Sequence, residues 1–202
     1  MSPPTGPRTG GRLRSVEAHD AVMKAAVELL EEAGYPGVTI EGVAERAQVA
    51  KSTIYRWWPS KGALVMDAYS QVVTDRMPRP DSGAIAEDLT RFVTELYRVT
   101  SHPGRAQALR TMMVEAQRDR DFAIEFRRWV GTRRDVLAGM LVRAVDRREL
   151  ASGLDIDYAV DQVFGPFWYR LMVGHGPLRA KDAETHVAQL IAGWRRAKDP
   201  DR

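Results

Sequence analysis

A short stretch between Arg46 and Lys61 combines positive charge with aromatic side chains. It contains four basic residues and no acid, and one tyrosine and two adjacent tryptophans lie among them. Basic side chains neutralise backbone phosphates, and an arginine can donate two hydrogen bonds to a guanine edge. The stretch therefore indicates contact with nucleic acid. The alternative is a solvated basic face over one buried tryptophan.

Two short helices joined by a tight turn are predicted to position these residues. The first begins after Thr39, a good N-cap residue, and ends near Gln48. The second runs from about Lys51 to Trp58 and stops before Pro59. This layout is typical of a helix-turn-helix, whose second helix enters the major groove of DNA.

The spacing of the second helix separates a packing face from an outer face. Ile54 and Trp58 are four residues apart, so they share the face that packs against the first helix. Lys61 begins the next helix, where free backbone N–H groups suit a phosphate. The expected outer face consists of Lys51, Ser52, Thr53, Tyr55, Arg56 and Trp57.

Residues 38–69 read VTIEGVAERAQVAKSTIYRWWPSKGALVMDAY and resemble the DNA-binding signature of the TetR family of bacterial transcriptional regulators. The similarity extends from Val16 to about Tyr69, and the rest of the chain agrees only in length and in its helical pattern. The resemblance implies two sets of contacts. Backbone phosphates are met by Thr39, Thr53, Tyr55, Trp57 and Lys61, and bases by Ser52, Thr53 and Arg56.

Three positions depart from the family pattern. Gln48 stands where glycine is usual, so a position that favours positive φ carries a side chain. Ala50 replaces a frequent serine, which removes the expected N-cap of the second helix, and Ser52 is then a candidate cap for a shorter one. Trp57 replaces a common histidine or arginine, so its phosphate bond has to come from the indole N–H.

Helical periodicity continues to the end of the chain, and no segment alternates for long as a strand does. An all-α fold is predicted, with a three-helix N-terminal unit, a linking fourth helix and a larger C-terminal bundle. The predicted boundaries place a disordered basic tail at 1–14, a helix-turn-helix DNA-binding domain at 15–62, and a ligand-binding and dimerisation domain at 63–202. Within the bundle, Pro166 is expected to kink its helix.

The N-terminal tail carries Arg8, Arg12 and Arg14 and no acid. A basic arm of this kind can enter a minor groove beside the main site. It can equally be a solubilising end without a DNA contact, and the sequence leaves both alternatives open.

The C-terminal bundle holds most of the apolar bulk, and most of that bulk must form the core. Some methionine and aromatic side chains can instead line a cavity for a small hydrophobic ligand. The family resemblance favours such a pocket without selecting its wall. The residues that we expect around it are Phe92, Met112, Phe126, Trp129 and Trp168.

The last two helices carry more apolar positions than terminal helices facing water need. The family resemblance makes them the expected dimer helices, which form a four-helix contact about a two-fold axis. The expected interface residues are Phe164, Phe167, Leu171, Val187, Leu190, Ile191 and Trp194.

Composition and the absence of certain motifs exclude several kinds of functional site. The 202 residues include 44% hydrophobic and 28% charged side chains, no cysteine, and a net charge of +3, an ordinary globular mixture. The chain has no thiolate ligand, its histidines show no metal-ligand spacing, and it contains no catalytic or phosphate-loop motif. We therefore expect no cofactor, no metal, no membrane segment and a cytoplasmic location.

The expected partners are double-stranded operator DNA, a second copy of the chain and a small hydrophobic ligand. The favoured hypothesis is a TetR-type repressor that binds a palindromic operator as a dimer and leaves it when the ligand binds. A DNA-binding regulator without a small-molecule effector is the second hypothesis. A helical-bundle enzyme is the third, and the missing catalytic motifs disfavour it.

Overall fold

The structure is a computed structural model that describes residues 9–76 and 79–195 of the chain. Over this part of the chain it contains nine α-helices and no strand, so the all-α prediction is confirmed. The helices are α1 (Thr9–Gly37), α2 (Ile40–Arg46), α3 (Lys51–Trp57), α4 (Lys61–Arg76), α5 (Ile85–Val99), α6 (Pro103–Arg118), α7 (Arg120–Asp146), α8 (Ile156–Val173) and α9 (Ala183–Trp194). No helix in the described ranges is long and apolar enough to cross a membrane.

α1 begins at Thr9, inside the segment that the sequence assigns to a disordered tail. Arg8 and the side chains of Arg12 and Arg14 lie outside the described residues, so the role of the tail stays a prediction. Near its other end, α1 is interrupted at Gly34, whose φ of 69° and ψ of 177° are accessible almost exclusively to glycine. The regular part of α1 therefore ends at this glycine.

α1 and α6 cross at close range. Gly104 on α6 lies so near α1 that an added Cβ would stand 2.5 Å from the Glu31 carbonyl oxygen. Beyond the crossing, the Tyr35 backbone N–H donates to Thr111 Oγ1 at 2.9 Å. These contacts dock the helix-turn-helix unit on the larger bundle through the C-terminal end of α1.

α4 packs against α1 on one side and against α7 on another. Ser60 caps its first turn, because Ser60 Oγ accepts from the Ala63 backbone N–H at 3.1 Å. Farther along α4, the Tyr69 ring packs edge-on against Trp129 of α7, with the centroids 5.6 Å apart. α4 is thus part of both the N-terminal unit and the bundle.

Pro166 does not interrupt α8, although proline has no N–H to donate to the Gln162 carbonyl one turn earlier. The ring of His186 on α9 forms a hydrogen bond with the Gln162 backbone instead. On its other side, His186 Nδ1 lies 2.9 Å from the Tyr97 hydroxyl of α5. Trp194 Nε1 donates to Gln162 Oε1 at 2.6 Å, so α5, α8 and α9 meet at a polar junction inside the bundle.

Candidate nucleic-acid interface and internal cavity

The turn between α2 and α3 sets the direction of the second helix. Thr39 caps α2, since its Oγ1 accepts from the Gly42 backbone N–H at 3.0 Å. In the turn, Gln48 adopts a φ of 54°, as its place in the family pattern predicts. The left-handed region is costly for a residue with a Cβ, so this tight turn is maintained against local strain.

α3 begins at Lys51 without a side-chain cap. Ala50 occupies the N-cap position, and its carbonyl accepts from the Thr53 N–H at 2.9 Å. Ser52 lies within the first turn of the helix, so the alternative of a shorter helix capped by Ser52 is wrong. Its exposed hydroxyl belongs to the outer face instead.

The two faces of α3 follow from the residue spacing. Ile54 and Trp58 are 0% and 5% exposed and belong to the core. Trp58 also donates from its indole Nε1 to Asp67 Oδ2 of α4 at 2.8 Å. On the opposite side, four side chains are exposed and two are half-buried, namely Lys51, Ser52, Tyr55 and Arg56, and then Thr53 and Trp57.

Aromatic neighbours partly cover Trp57. Its ring centroid lies 5.3 Å from that of His19 on α1 and 5.6 Å from that of Trp58. The Arg56 guanidinium carbon lies 5.1 Å from the Trp57 centroid, within cation–π range. Trp57 therefore supports both the helix and the arginine next to it.

Acidic residues on α1 and α2 balance part of the positive charge. Lys51 Nζ lies 2.8 Å from Glu41 Oε1, and this hydrogen bond raises the pKa of Lys51 and lowers that of Glu41. Arg46 binds both carboxylate oxygens of Glu32, at 2.7 and 2.9 Å. Arg56, in contrast, has no ion pair with any residue that the structure describes. It is the exposed cation of α3 most available to a partner.

Lys61 folds over Tyr35 at the end of α1. Its Nζ donates to the Tyr35 carbonyl at 3.2 Å and lies 4.0 Å from the centroid of the Tyr35 ring. Burial lowers the pKa of Lys61, and the negative charge of Glu115 opposes that shift. Burial also raises the pKa of Tyr35 to about 12, with further contributions from the charges of Glu115 and Asp119. A phosphate contact by Lys61 stays a prediction, and it would require Lys61 to leave this position.

The C-terminal bundle contains a partly open cavity of about 320 Å³, to which α4, α5, α6, α7 and α8 contribute. Of the residues expected around a ligand, Trp129 and Trp168 line this cavity, whereas Phe92, Met112 and Phe126 do not, and a ligand contact by the two tryptophans stays a prediction. These three are buried in the core, where Phe126 packs behind both tryptophans at centroid distances of 5.6 and 6.2 Å. Apolar residues at helical spacing occur both in a cavity wall and in the core layer behind it. The sequence pattern therefore could not separate the two tryptophans from the three core residues.

The charged part of the cavity wall comes from α7 and α8. Arg134 forms ion pairs with Asp157 and Asp161, of which Asp161 also lines the cavity. Arg133 lies beside it in the wall and is 8% exposed. Burial lowers the pKa of Arg133, as does the positive charge of Arg79. The predicted wall contains none of these charged residues.

Comparison with known proteins agrees with this architecture. Residues 22–68 match the family model described as bacterial regulatory proteins, tetR family, and residues 79–190 match that of the Tetracyclin repressor-like C-terminal domain. The chain is 38% identical over 165 residues to YdeS of Bacillus subtilis (strain 168), described as an uncharacterized HTH-type transcriptional regulator. The match covers 81% of this chain and 82% of YdeS. The chain belongs to the TetR family.

Solved structures of TetR-family regulators share its fold. The TetR family transcription regulator SCO0332 superposes with a TM-score of 0.75 at 32% identity, over 88% of this chain and 98% of the other. The transcriptional regulator FadR from Bacillus subtilis, in complex with stearoyl-CoA, gives a TM-score of 0.72 over 87% and 98% of the two chains. Its identity is only 18%, so that likeness concerns the fold alone. This TetR-family chain is a transcriptional regulator rather than an enzyme.

Most residues expected at the TetR-type dimer interface are already covered by the chain itself. The buried ones are Phe167, Leu171, Val187, Ile191 and Trp194, whereas Phe164 and Leu190 are half-buried. Phe164 and Phe167 also line the cavity. Side chains that are buried within one protomer are not available to a partner, so the prediction is corrected at the five buried positions, whereas Phe164 and Leu190 stay predictions.

α8 and α9 expose a different set of side chains. Large apolar or aromatic groups project from α8 at helical spacing, and small or uncharged groups project from α9. The exposed residues are Tyr158, Tyr169, Met172 and Val173 on α8, and Thr185, Ala188, Gln189 and Ala192 on α9. We call these eight residues the α8–α9 face.

Proposed function

We propose that this protein is a repressor that binds a palindromic operator as a homodimer and is released by a small hydrophobic ligand. The observation that carries the proposal is the division of α3 into two faces. Ile54 and Trp58 anchor the helix in the core, while Arg56 projects from the exposed side. An anchored helix with an accessible basic face is what recognition in the major groove requires.

Base contacts are assigned to the exposed side of α3. Arg56 donates to the O6 and N7 acceptors of a guanine, and Trp57 holds its guanidinium in place from one side. Ser52 and Thr53, one turn earlier, reach neighbouring bases, and the methyl group of Thr53 can contact a thymine.

Phosphate contacts are assigned to residues around α3. The hydroxyl oxygen of Thr39 already accepts from the backbone, so its O–H remains free to donate to a phosphate. Tyr55 is exposed and Trp57 half-exposed, and each has one hydrogen to donate. Lys51 and Lys61 each have a contact within the protein, with Glu41 and Tyr35, that a phosphate has to replace.

The α8–α9 face supports the proposed dimer. It contains exposed aromatic and aliphatic groups on one helix and small side chains on the other, a combination that allows two copies to approach closely. With a two-fold axis through this face, the dimer presents two copies of α3, the proposed recognition helix, to one side of a duplex. For a palindrome, the half-sites are then about 34–36 Å apart, or one helical turn of DNA.

The cavity and α4 support release by a ligand. Tyr69 of α4 lines the cavity, and Asp67 of the same helix accepts from Trp58 at the end of the recognition helix. A ligand that shifts α4 thus changes the position of α3, and DNA and ligand then favour different conformations. The usual coupling of about 1–3 kcal/mol corresponds to a loss of operator affinity of about 5- to 150-fold.

The second hypothesis, a regulator without an effector, remains the alternative that an experiment has to exclude. The aromatic cavity favours the ligand-gated hypothesis, because well-packed bundles seldom leave a space of this size. The FadR structure from Bacillus subtilis was obtained with stearoyl-CoA, which illustrates that a chain of this fold can hold a hydrophobic ligand.

The test is a gel shift with the intergenic DNA upstream of the gene. We expect a discrete complex that survives excess random DNA, is lost in Arg56→Ala, and dissociates when a cavity ligand is added. A promoter-reporter assay in bacterial cells with and without this protein distinguishes repression from activation. If the protein bound the upstream DNA no better than random DNA, the proposed operator would have to be abandoned. If ligands bound without changing operator affinity, the regulator without an effector would be favoured.

A further inference from the structure

A second concave region lies where the C-terminal ends of α5 and α8 meet the first two turns of α6. It is an open cleft of about 410 Å³, and it shares no lining residue with the cavity described above. Its wall contains two arginines, Arg110 and Arg170, and two hydroxyl residues, Thr100 and Ser101. Among the described residues that line it there is no carboxylate. The cleft is therefore basic and polar, whereas the cavity is mainly aromatic.

Backbone carbonyls hold both guanidinium groups of this cleft in place. Arg110 Nε donates to the Leu171 carbonyl at 2.7 Å, and Arg170 Nη1 donates to the Pro177 carbonyl at 2.9 Å. Neither arginine forms an ion pair with a carboxylate in the part of the chain that the structure describes. A guanidinium has five N–H groups, so most donors of each exposed arginine are left for a further partner. Donors that are already positioned lose little side-chain entropy when an anion binds.

The negative charges near the cleft do not cancel its two cations. The C-terminal end of α8 is equivalent to about half a negative charge, against two full positive charges. Asp182 lies within the electrostatic reach of Arg170, but the hydrogen bond from Arg179 is the main reason that its pKa is lowered. Arg179 Nε is 2.7 Å from Asp182 Oδ2, so Asp182 already has its own cation. An excess of positive charge therefore remains at the cleft.

The two hydroxyl groups differ in what they offer to an anion. Thr100 Oγ1 donates to the Tyr97 carbonyl at 2.9 Å, so its hydrogen is already used. Ser101 is exposed, and its hydroxyl has a hydrogen to donate. Two guanidinium groups and one hydroxyl are thus the donors on the wall of this cleft.

We propose that this cleft binds the phosphate group of a small phosphorylated molecule through Arg110, Arg170 and Ser101. A phosphate monoester carries nearly two negative charges at neutral pH and three strong acceptor oxygens, which match two guanidinium groups and a hydroxyl. A carboxylate has one charge and two oxygens, which a single guanidinium satisfies. Because the cleft is concave and lies outside the helix-turn-helix, a small molecule suits it better than the DNA backbone does. The inference does not depend on the proposed effector of the cavity.

The experiment compares four probes: glycerol phosphate, inorganic phosphate, glycerate and glycerol. Calorimetry with the whole chain is performed at neutral pH in chloride buffer, at constant ionic strength. We expect both phosphate probes to bind with a Kd below about 1 mM, and glycerate to bind about tenfold more weakly or worse. Glycerol, which has no anionic group, should give no binding heat.

Variants assign the binding to the two arginines. Arg110→Met and Arg170→Met should each weaken the binding of glycerol phosphate by about tenfold or more, because a charge-assisted hydrogen bond is lost. The corresponding lysine variants keep the charge without the planar guanidinium and should lie between these variants and the unchanged protein. Arg127→Met removes an exposed arginine of α7 and should change no affinity. Melting temperatures without phosphate check that each variant is folded. If a methionine variant does not fold, the lysine variant and the order of the probes on the unchanged protein still decide.

Three results would overturn the proposal: no measurable binding of either phosphate probe, equal affinity for glycerate, or an equal loss of affinity in Arg127→Met. Operator binding is measured in parallel in phosphate-free buffer at several salt concentrations. A lower salt slope in both methionine variants would assign the cleft to backbone phosphates of DNA, and a small phosphorylated ligand would be excluded. Failure of the unchanged protein to bind an operator would contradict the proposed function but not the phosphate site.

Discussion

Trp58, immediately after the recognition helix, donates its indole hydrogen to Asp67 of α4 at 2.8 Å. The bond fixes the orientation of α3 relative to α4, because the Trp58 ring is itself buried. Two residues after Asp67, Tyr69 contacts Trp129 in the cavity wall. Recognition helix and cavity are therefore connected through less than one turn of α4.

The two adjacent tryptophans are predicted to differ in their contribution to stability. Trp58→Ala opens a cavity in the small N-terminal core and leaves Asp67 without its donor, so we expect a loss of about 3–5 kcal/mol. Trp57→Ala removes a half-buried ring that contacts His19, so we expect a loss of about 1 kcal/mol together with weaker operator binding. Urea denaturation of both variants measures the difference. A larger loss for Trp57→Ala would mean that the faces of α3 are assigned the wrong way round.

The helix-turn-helix was predictable from sequence because local rules determine most of it. The caps at Thr39 and Ser60 are side-chain hydrogen bonds within three residues, and the faces of α3 follow from the spacing of Ile54 and Trp58. The positive φ at Gln48 followed from its place in the family pattern. Local features of this kind do not depend on the rest of the fold.

The cavity and the dimer surface were harder to predict because they depend on how helices face one another. Phe167 and Trp194 have the same apolar spacing whether the covering surface belongs to this chain or to a partner. Lys61 likewise has the sequence position of a phosphate ligand, but its contact with Tyr35 arises from the packing of α4 on α1. A signal for Arg133 was present: it is a charged residue within the apolar stripe of α7, which is unusual in a core.

Arg56 and Lys61 are predicted to affect DNA binding in different ways. Arg56→Ala should lower affinity for the operator by about 1–3 kcal/mol and relax specificity at one base pair. Lys61→Ala should weaken binding to all sequences and reduce the salt slope by about one, if Lys61 reaches a phosphate. It should also lower stability by about 0.5–1 kcal/mol, because the cation–π contact with Tyr35 is lost.

Fluorescence anisotropy at several salt concentrations, with operator and random duplexes, separates these effects. Lys181→Ala, an exposed lysine in the C-terminal bundle, is the control and should change neither slope nor specificity. An unchanged salt slope for Lys61→Ala would show that Lys61 holds Tyr35 and does not contact DNA.

Gly34 is predicted to be essential for docking α1 on α6. Gly34→Ala places a Cβ at a backbone conformation that only glycine adopts readily, so the free energy of unfolding should fall by about 1–3 kcal/mol. That Cβ also comes within 2.9 Å of Thr111 Cγ2. The double variant with Thr111→Ser removes the crowding methyl group but keeps the hydroxyl that binds the Tyr35 N–H.

Thermal unfolding distinguishes strain from crowding at this site. We expect partial recovery in the double variant, since the backbone strain remains. Gly83→Ala is the matched control, because Gly83 also has a positive φ, of 91°, with no atom within 4 Å of an added Cβ. Full recovery by Thr111→Ser would assign the whole effect to crowding.

The α8–α9 face is predicted to form the dimer. Tyr169 is 62% exposed, so Tyr169→Asp should be tolerated by the protomer but should bury an unpaired charge in the proposed interface. We expect a folded monomer with weak operator binding. Phe167→Asp should instead unfold the protomer, because Phe167 is buried within it. Sedimentation and melting temperatures measure both outcomes, and an unchanged dimer for Tyr169→Asp would move the interface elsewhere.

His186 is predicted to make stability depend on pH. Burial lowers its pKa below the ordinary value of 6.5, as does the positive charge of Arg170, whereas the hydrogen bond with the Gln162 backbone opposes the shift. The unfolded chain therefore binds a proton at a pH where the folded chain does not, and stability falls as pH falls below 6.5. Above that value His186 contributes no pH dependence.

The measurement is urea denaturation from neutral pH down to mildly acidic pH. His186 is the half-buried histidine at the junction of α5, α8 and α9. His186→Gln keeps a side chain that can accept from Tyr97 and donate to Gln162, so it should flatten the pH dependence with only a modest loss of stability at neutral pH. His175→Gln replaces an exposed histidine and should leave the slope unchanged. If the stability of His186→Gln still fell with pH, other groups would cause the pH dependence, and the junction would not stabilise the neutral form of His186.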